Sequence, residues 1–335
     1  MGCPAGHRLI HNFSGHLALF FGQRAKRAPC CMRSCATIAR IPRPKRVCEL
    51  RLNPLLSSPV FQHALTSFGG FVARARAGTI TTWIIRDFIR RYGVNMHEAL
   101  ESDPRAYASF NEFFTRALKP GARPLAQAQL ICPVDGAISQ FGSIKHDQIF
   151  QAKGHHYSAR ELVGGDAQLA ARFIDGQFAT LYLSPRDYHR IHMPCDGRLT
   201  RMIYVPGDLY SVNPATAACV PRLFARNERA VCVFESPHGP FVLVLVGATI
   251  VGSMATVWHG LIERRARGQI EDRSYTDQSI TLRQGEEMGR FLLGSTVVLL
   301  FPQRFPDQSP VFNPAWRPQG DIRRGEVMAD HAPPA

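Results

Sequence analysis

The feature that most constrains the fold is a dense apolar run at residues 297–301, which follows Gly294, Ser295 and Thr296 directly. The run is Val-Val-Leu-Leu-Phe and ends at Pro302, a pattern that predicts a short buried strand. The residues before it have a structural explanation, because Gly294 can form a bulge and the two hydroxyls can hydrogen-bond the local backbone. They also have a chemical explanation, because a serine beside a positioned base is a nucleophile.

Charge and cysteine content limit the classes of partner. The 335 residues can form one large domain or two smaller ones, and their formal net charge is +14. Residues 1–48 hold nine Lys or Arg and no acid, which leaves 14 − 9 = +5 for the rest. We predict that this leader is disordered, or that the start codon is assigned too far upstream. Basic charge concentrated in a leader, with no stacking-and-basic motif in the rest of the chain, argues against a nucleic-acid partner. The cysteines lack Cys-x-x-Cys spacing, which indicates neither a disulfide framework nor a zinc ribbon.

Residues 49–120 are predicted to be a helical membrane-contact region. Residues 53–73 carry no charge, but Pro, Gly and polar residues interrupt them, so we predict no membrane-spanning helix. Two interfacial helices are predicted instead. Apolar side chains lie near one face of each helix, and arginines lie beside them. These are Leu65, Phe68, Phe71 and Val72 in the first, Ile80, Trp83, Ile84 and Phe88 in the second, and Arg74, Arg76, Arg86, Arg90 and Arg91. The same pattern also fits helices packed against their own domain.

The sequence changes character after a turn-rich linker at residues 119–124, where we place a domain boundary. Short runs rich in Val, Ile, Phe and Tyr then predict a mainly antiparallel β core. The predicted strands are residues 136–144, 178–183, 198–205, 230–235 and 241–258, with one helical interval at 158–173. The predicted fold class is therefore α+β, with a β-rich catalytic core at residues 121–304 and a loose tail at 305–335.

Three stretches bring an acid, two imidazoles and the serine into one pattern. They are Pro-Val-Asp-Gly at 133–136, Tyr-His-Arg-Ile-His-Met-Pro at 188–194, and Gly-Ser-Thr at 294–296. Further matching blocks occur in order at residues 111–116, 151–155, 183–189, 204–208, 224–229 and 246–252. With these blocks, residues 50 to 302 resemble the bacterial phosphatidylserine decarboxylases.

That resemblance implies a self-cleaving, pyruvoyl-dependent enzyme. Ser295, with His192 as base and Asp135 orienting His192, would attack the carbonyl of Gly294. The resulting ester would split the chain into residues 1–294 and residues 295–335, which are 335 − 294 = 41 residues. Residue 295 would become a pyruvoyl cofactor, which forms a Schiff base with phosphatidylserine and accepts electrons as carbon dioxide leaves. His192 would then protonate the carbanion, and hydrolysis would release phosphatidylethanolamine.

Other features of the resemblance concern partners and location. It implies a homodimer held at the cytoplasmic face of a bacterial membrane, in contact with an anionic surface. Ser211 is a candidate substrate contact, and His189 is either a substrate contact or a structural histidine. We predict no metal site, because prolines at 185 and 194 prevent a continuous helix that would align His189, His192 and Cys195 as ligands.

Two other functions fit parts of the sequence. One is a lipid-ester serine hydrolase that does not cut itself, although no Gly-x-Ser-x-Gly elbow is present. The other is a noncatalytic membrane-lipid-binding protein. Both predict that the chain stays uncut, so the integrity of the purified chain distinguishes them from the decarboxylase.

Overall fold

A computed structural model describes residue 70 and residues 73–248, 254–262, 269–292, 295–305 and 310–330. The predicted leader, the first predicted interfacial helix and Gly294 lie outside the described residues. Residues 59–335 belong to one compact unit, and residues 1–58 are assigned to another that is not described. Among the described helices, none has the length and apolar character needed to cross a bilayer.

The described chain is mainly strand, with short helices between the strands. The helices are α1 (Thr79–Tyr92), α2 (Phe110–Phe114), α3 (Ala159–Leu162), α4 (Ala167–Ala171), α5 (Pro214–Ala217) and α6 (Leu223–Arg226), with 3₁₀ turns at Pro104–Ala106 and Thr276–Gln278. The first nine strands are β1 (Leu130–Ile131), β2 (Gly136–Ser143), β3 (Gln148–Ala152), β4 (His155–Ser158), β5 (Gln177–Leu183), β6 (Arg190–His192), β7 (Gly197–Val205), β8 (Arg229–Ser236) and β9 (Gly239–Val246). The others are β10 (Met254–Thr256), β11 (Gly260–Ile262), β12 (Glu271–Ser274), β13 (Thr281–Leu282), β14 (Glu287–Phe291), β15 (Ser295–Phe301), β16 (Val311–Phe312), β17 (Asp321–Ile322) and β18 (Val327–Asp330).

Helix α1 is the second of the two predicted interfacial helices. It ends at Gly93, which adopts a left-handed conformation with φ of 65° and donates its N–H to the Ile89 carbonyl. Phe88 on its inner face packs edge-on against the phenyl rings of α2. Its outer face leaves Ile80 61% and Trp83 49% exposed. One face of the helix therefore packs on the protein and the other is exposed, and membrane contact stays a prediction.

A large antiparallel sheet positions Ser295. Within the described chain its strand order is β12-β7-β8-β9-β15-β5-β2-β17, with β13 beside β7. Strand β15 lies between β5 and β9, and Thr296 pairs with Tyr182 on one side and Val246 on the other. All five side chains of residues 297–301 are fully buried, as the apolar run predicts.

A smaller sheet, in the order β11-β10-β14-β6, shares its core with the large one. Leu181, Leu243 and Val297 of the large sheet belong to the same buried cluster as Ile191 and Met288 of the small sheet. Burial between two such sheets is the main stabilising contribution to this architecture. The chain is therefore α+β with a β-rich core, as predicted.

Two strand and helix predictions need refinement. The interval 158–173 contains two short helices, α3 and α4, which are separated by Gly164 and Gly165 with φ of 84° and 93°. The run at 241–258 contains β9 and β10, with undescribed residues between them.

The prediction of a loose C-terminal tail is wrong for residues 310–330. These residues form β16, β17 and β18, and β17 pairs with β2 while β18 pairs with β1. The tail contains few apolar residues, but Trp316, Ile322 and Met328 all enter the core cluster. These three buried side chains pack the segment against the core, although its average composition suggested disorder.

Candidate active site

The acid and the serine lie at the same end of two strands that have one strand between them. Ser295 begins β15 and pairs with Leu183, the last residue of β5. The next strand, β2, begins at Gly136, directly after Asp135. A Cβ atom at Gly136 would lie 2.2 Å from the Tyr182 carbonyl oxygen, so only glycine permits this approach to β5. The sheet register therefore brings Asp135 and Ser295 to the same end of the sheet, with β5 between their strands.

Asp135 is buried and held by an arginine that the sequence analysis did not select. Arg123 Nε donates to both carboxylate oxygens at 3.0 and 3.1 Å, and its Nη2 donates at 2.6 Å. Arg123 Nη2 also donates to Glu98 at 2.7 Å, and this hydrogen bond lowers the pKa of the Glu98 carboxyl. Burial opposes the charge on Arg123, but its hydrogen bonds to the two acids outweigh that cost and raise its pKa. Arg123 lies in the segment predicted as a linker, where a single arginine among turn residues gave no signal.

His192 ends strand β6 next to the segment that carries Asp135. Its backbone N–H donates to the Pro133 carbonyl at 2.9 Å. Its Nδ1 lies 2.8 Å from the Gly285 carbonyl oxygen, and its Nε2 lies 3.1 Å from the Tyr188 hydroxyl. Burial, followed by the charge of Arg324, lowers the pKa of His192 to about 3. The imidazole is therefore neutral near pH 7 and suited to accept a proton.

Asp135 reaches His192 indirectly. Asp135 Oδ1 accepts the backbone N–H of Arg324 at 2.9 Å, and Arg324 Nη2 donates to Gly285 O at 3.0 Å. That carbonyl also binds His192 Nδ1. The expected direct orientation of His192 by Asp135 is thus replaced by a connection through Arg324 and Gly285. Arg324 was missed because it lies in the tail that was predicted to be loose.

His189 is fully buried and lies directly before β6. Its Nδ1 is 2.9 Å from the Asp187 carbonyl oxygen, and its ring centroid is 4.0 Å from that of Phe114. Its Nε2 has no hydrogen-bond partner among the described atoms. Burial lowers the pKa of His189 to about 3, and the charge of Arg116 adds to the effect. Packing against Phe114 fits a structural role, while the unpartnered Nε2 fits a ligand contact.

Ser211 lies in a loop that is fastened to the same end of the large sheet. The buried Asn227 side chain accepts from Tyr210 N at 3.1 Å and donates to Tyr210 O at 2.8 Å and Gly247 O at 2.9 Å. Gly247 follows Val246, the β9 partner of Thr296. Asn227 therefore holds residues 210–211 beside the end of β9, which is a neighbour of β15 in the sheet. Ser211 itself accepts a hydrogen bond from Asn213 Nδ2 at 3.0 Å.

Known proteins resemble this chain over most of its length. A family model described as phosphatidylserine decarboxylase matches residues 110–329, and a model described as PSD matches residues 62–93. A protein of Variovorax paradoxus (strain S110) is 69% identical over 271 residues, which cover 81% of this chain and 94% of that protein. One of Methylibium petroleiphilum is 69% identical over 279 residues, covering 83% and 97%. One of Herminiimonas arsenicoxydans is 66% identical over 266 residues, covering 79% and 89%. All three are named phosphatidylserine decarboxylase proenzyme.

Proposed function

The chain belongs to the phosphatidylserine decarboxylase family, and we propose that its proenzyme cuts itself between Gly294 and Ser295. The protein removes carbon dioxide from phosphatidylserine, which leaves phosphatidylethanolamine. The hydrolase and the noncatalytic lipid-binding alternatives are not favoured, because the family match spans the whole described β core.

The observation that carries the cleavage proposal is the register of three strands. Ser295 begins β15 at the end of the sheet where Asp135 precedes β2, and the backbone N–H of His192, whose imidazole is buried and neutral, donates to the Pro133 carbonyl beside Asp135. A serine hydroxyl needs such a base at neutral pH, because it is a weak nucleophile when protonated. His192 would take the proton of the Ser295 hydroxyl as the oxygen attacks the Gly294 carbonyl. Glycine at 294 leaves that carbonyl without a side chain beside it.

The acid would act through the charge and the position of its neighbours. Asp135 balances Arg123 and fixes the backbone of Arg324, whose side chain shares Gly285 O with His192. The imidazole is thereby kept in the tautomer with hydrogen on Nδ1 and a lone pair on Nε2. Asp135 remains a member of the proposed catalytic set in this indirect role.

The site fits a cofactor made from the chain itself. A pyruvoyl group at residue 295 would supply a carbonyl that captures the substrate amine and accepts the electron pair released with carbon dioxide. The fold retains this residue after cleavage, because Thr296 to Leu300 pair with strands on both sides. His192 would then return a proton to the substrate carbon. Ser211 and His189 are the proposed substrate contacts.

Intact mass spectrometry tests the proposal. We expect wild-type protein to contain a 294-residue chain and a 41-residue chain whose blocked N-terminus is reducible by borohydride. Ser295→Ala should give one full-length mass, and Ser143→Ala, which removes a hydroxyl at the far end of β2, should be cut normally. A full-length mass for folded, active wild-type protein would refute self-cleavage at this residue.

We further propose that α1 holds the enzyme on the cytoplasmic face of the bacterial membrane as a peripheral protein. Its outer face combines the exposed Ile80 and Trp83 with exposed Arg86, which suits an anionic lipid surface. A homodimer is the proposed assembly, and sedimentation velocity of the purified enzyme tests it. A single species with the mass of one large and one small chain would contradict the dimer.

A further inference from the structure

Tyr188 covers the one basic atom of His192. Its hydroxyl lies 3.1 Å from Nε2, and the two rings stack with centroids 5.7 Å apart and planes 27° from parallel. Tyr188 is 6% exposed, so the contact is shielded from solvent. Tyr188 lies two residues before β6 and His192 ends that strand, so the contact is local to one short segment.

The direction of this hydrogen bond follows from the other side of the ring. The Gly285 carbonyl only accepts, so Nδ1 carries the hydrogen and Nε2 carries the lone pair. The Tyr188 hydroxyl must then be the donor to Nε2. Burial raises the pKa of Tyr188 to about 12, which keeps the phenol protonated at neutral pH. Any proton that moves to or from Nε2 therefore meets the Tyr188 oxygen first.

Charged groups around the pair make direct protonation of His192 unfavourable. Arg324, from the segment after β17, and Arg190 on β6 both lower the pKa of the imidazole. Glu287 on β14 pairs with Arg190 at 2.9 Å, and Asp135 is paired with Arg123. Neither acid donates to or accepts from the His192 ring, whose two nitrogens bind Gly285 and Tyr188. A weak base in such a setting benefits from a hydrogen-bonded route that delivers the proton in step with its release.

We propose that Tyr188 is a proton relay between the reacting group and His192. In self-cleavage the Ser295 hydroxyl would give its proton to Tyr188 Oη while Tyr188 gives its own proton to Nε2. One O–H bond forms on the phenol oxygen as another breaks, so Tyr188 begins and ends neutral and the charge appears on His192. The reverse transfer returns the proton in the decarboxylation step. This inference rests on the proposed roles of Ser295 and His192.

Self-cleavage of freshly translated full-length proenzyme provides the test, with the cut followed on gels from about pH 3, where His192 titrates, to about pH 10. Tyr188→Phe keeps the stacked ring and removes the relay oxygen, and we expect cleavage to slow by about tenfold or more. Its acid limb should move to higher pH, because neutral Nε2 loses a donated hydrogen bond and the pKa of His192 rises. Tyr157→Phe, which alters a buried tyrosine of β4, should match wild type in rate and profile.

A second variant separates a relay from a structural role. Incorporation of 3,5-difluorotyrosine at 188 keeps the hydroxyl but lowers the pKa of the phenol. The relay then predicts that the alkaline limb of cleavage moves to lower pH, whereas the same replacement at Tyr182 should leave it in place.

The outcomes distinguish the relay from the function on which it rests. If wild-type chain is never cut, or Ser295→Ala is cut normally, the proposed cleavage fails. If wild type is cut and both Tyr188 variants share its rate and pH profile, the relay alone is refuted. If Tyr188→Phe fails to fold, as circular dichroism would show, the difluorotyrosine protein still decides the question.

Discussion

Removal of the Arg123 side chain should cost far more stability than its position in a turn-rich segment suggests. The side chains of Arg123 and Asp135 are 6% and 9% exposed, and three hydrogen bonds of 2.6 to 3.1 Å join them. Arg123→Met leaves the carboxylate buried without its cation. Breaking such a pair from one side costs about 3–5 kcal/mol. Since Asp135 keeps the backbone N–H of Arg324, we expect the lower end, about 3 kcal/mol.

Urea unfolding measures this cost. All variants would carry Ser295→Ala so that a single uncut chain unfolds, with tryptophan fluorescence and circular dichroism as coincident probes. Arg105→Met is the matched control, because Arg105 also pairs with an aspartate, Asp103, but on the surface, and it should leave the midpoint unchanged. Adding Asp135→Asn should remove most of the penalty, with a coupling of about 2 kcal/mol in the double-mutant cycle. If Arg123→Met unfolds at the midpoint of the control, the assignment of a stabilising buried ion pair is incorrect.

Three further perturbations test other parts of the structure. The folded-state pKa of His189 is lowered to about 3 from 6.5, so its contribution is present above pH 6.5 and lost as the pH falls; between pH 6 and 5, His189→Asn should therefore lose about 1 kcal/mol less unfolding free energy than wild type, and equal losses in the two proteins would contradict this. Trp83→Ser should weaken flotation with anionic vesicles while Leu100→Ser, at another exposed apolar residue, should not, and equal binding by both would remove α1 from the membrane contact. Trp316→Ala should lower the unfolding free energy by about 3 kcal/mol, and a change below about 0.5 kcal/mol would show that the tail packs loosely.

The sequence predicted the strands well where apolar periodicity alone determines them. Residues 297–301 and 178–183 are central strands with buried neighbours on both sides, so a dense run of apolar residues is sufficient to identify them. Helix α1 was recognisable for the same reason, since its apolar residues repeat at helical spacing. The division of the run at 241–258 into β9 and β10 could not be predicted, because an apolar stretch does not show where one strand ends and the next begins.

The partners of the proposed catalytic residues could not be predicted by local pattern. Arg123 and Arg324 lie 12 and 189 residues from Asp135, in segments whose composition suggested a linker and a loose tail. Gly285 contributes only a backbone carbonyl, which any residue carries. Asp135, His192 and Ser295 were selected through motifs as the proposed acid, base and nucleophile. The groups that contact Asp135 and His192 became visible only when the fold brought distant segments together.

Cleavage at the start of a central strand would divide the residues of the site between two chains. After the cut, Asp135 and His192 would belong to the large chain, while residue 295 and Arg324 would belong to the small one. The small chain is held at two places, by the pairing of β15 with β5 and β9 and by the pairing of β17 with β2. Each fully buried side chain of residues 297–301 adds about 1.5–3 kcal/mol of apolar burial, so loss of one peptide bond does not release the strand. The residues after β15 are therefore part of the site, because the Arg324 backbone that binds Asp135 and the Arg324 side chain that binds Gly285 both come from them.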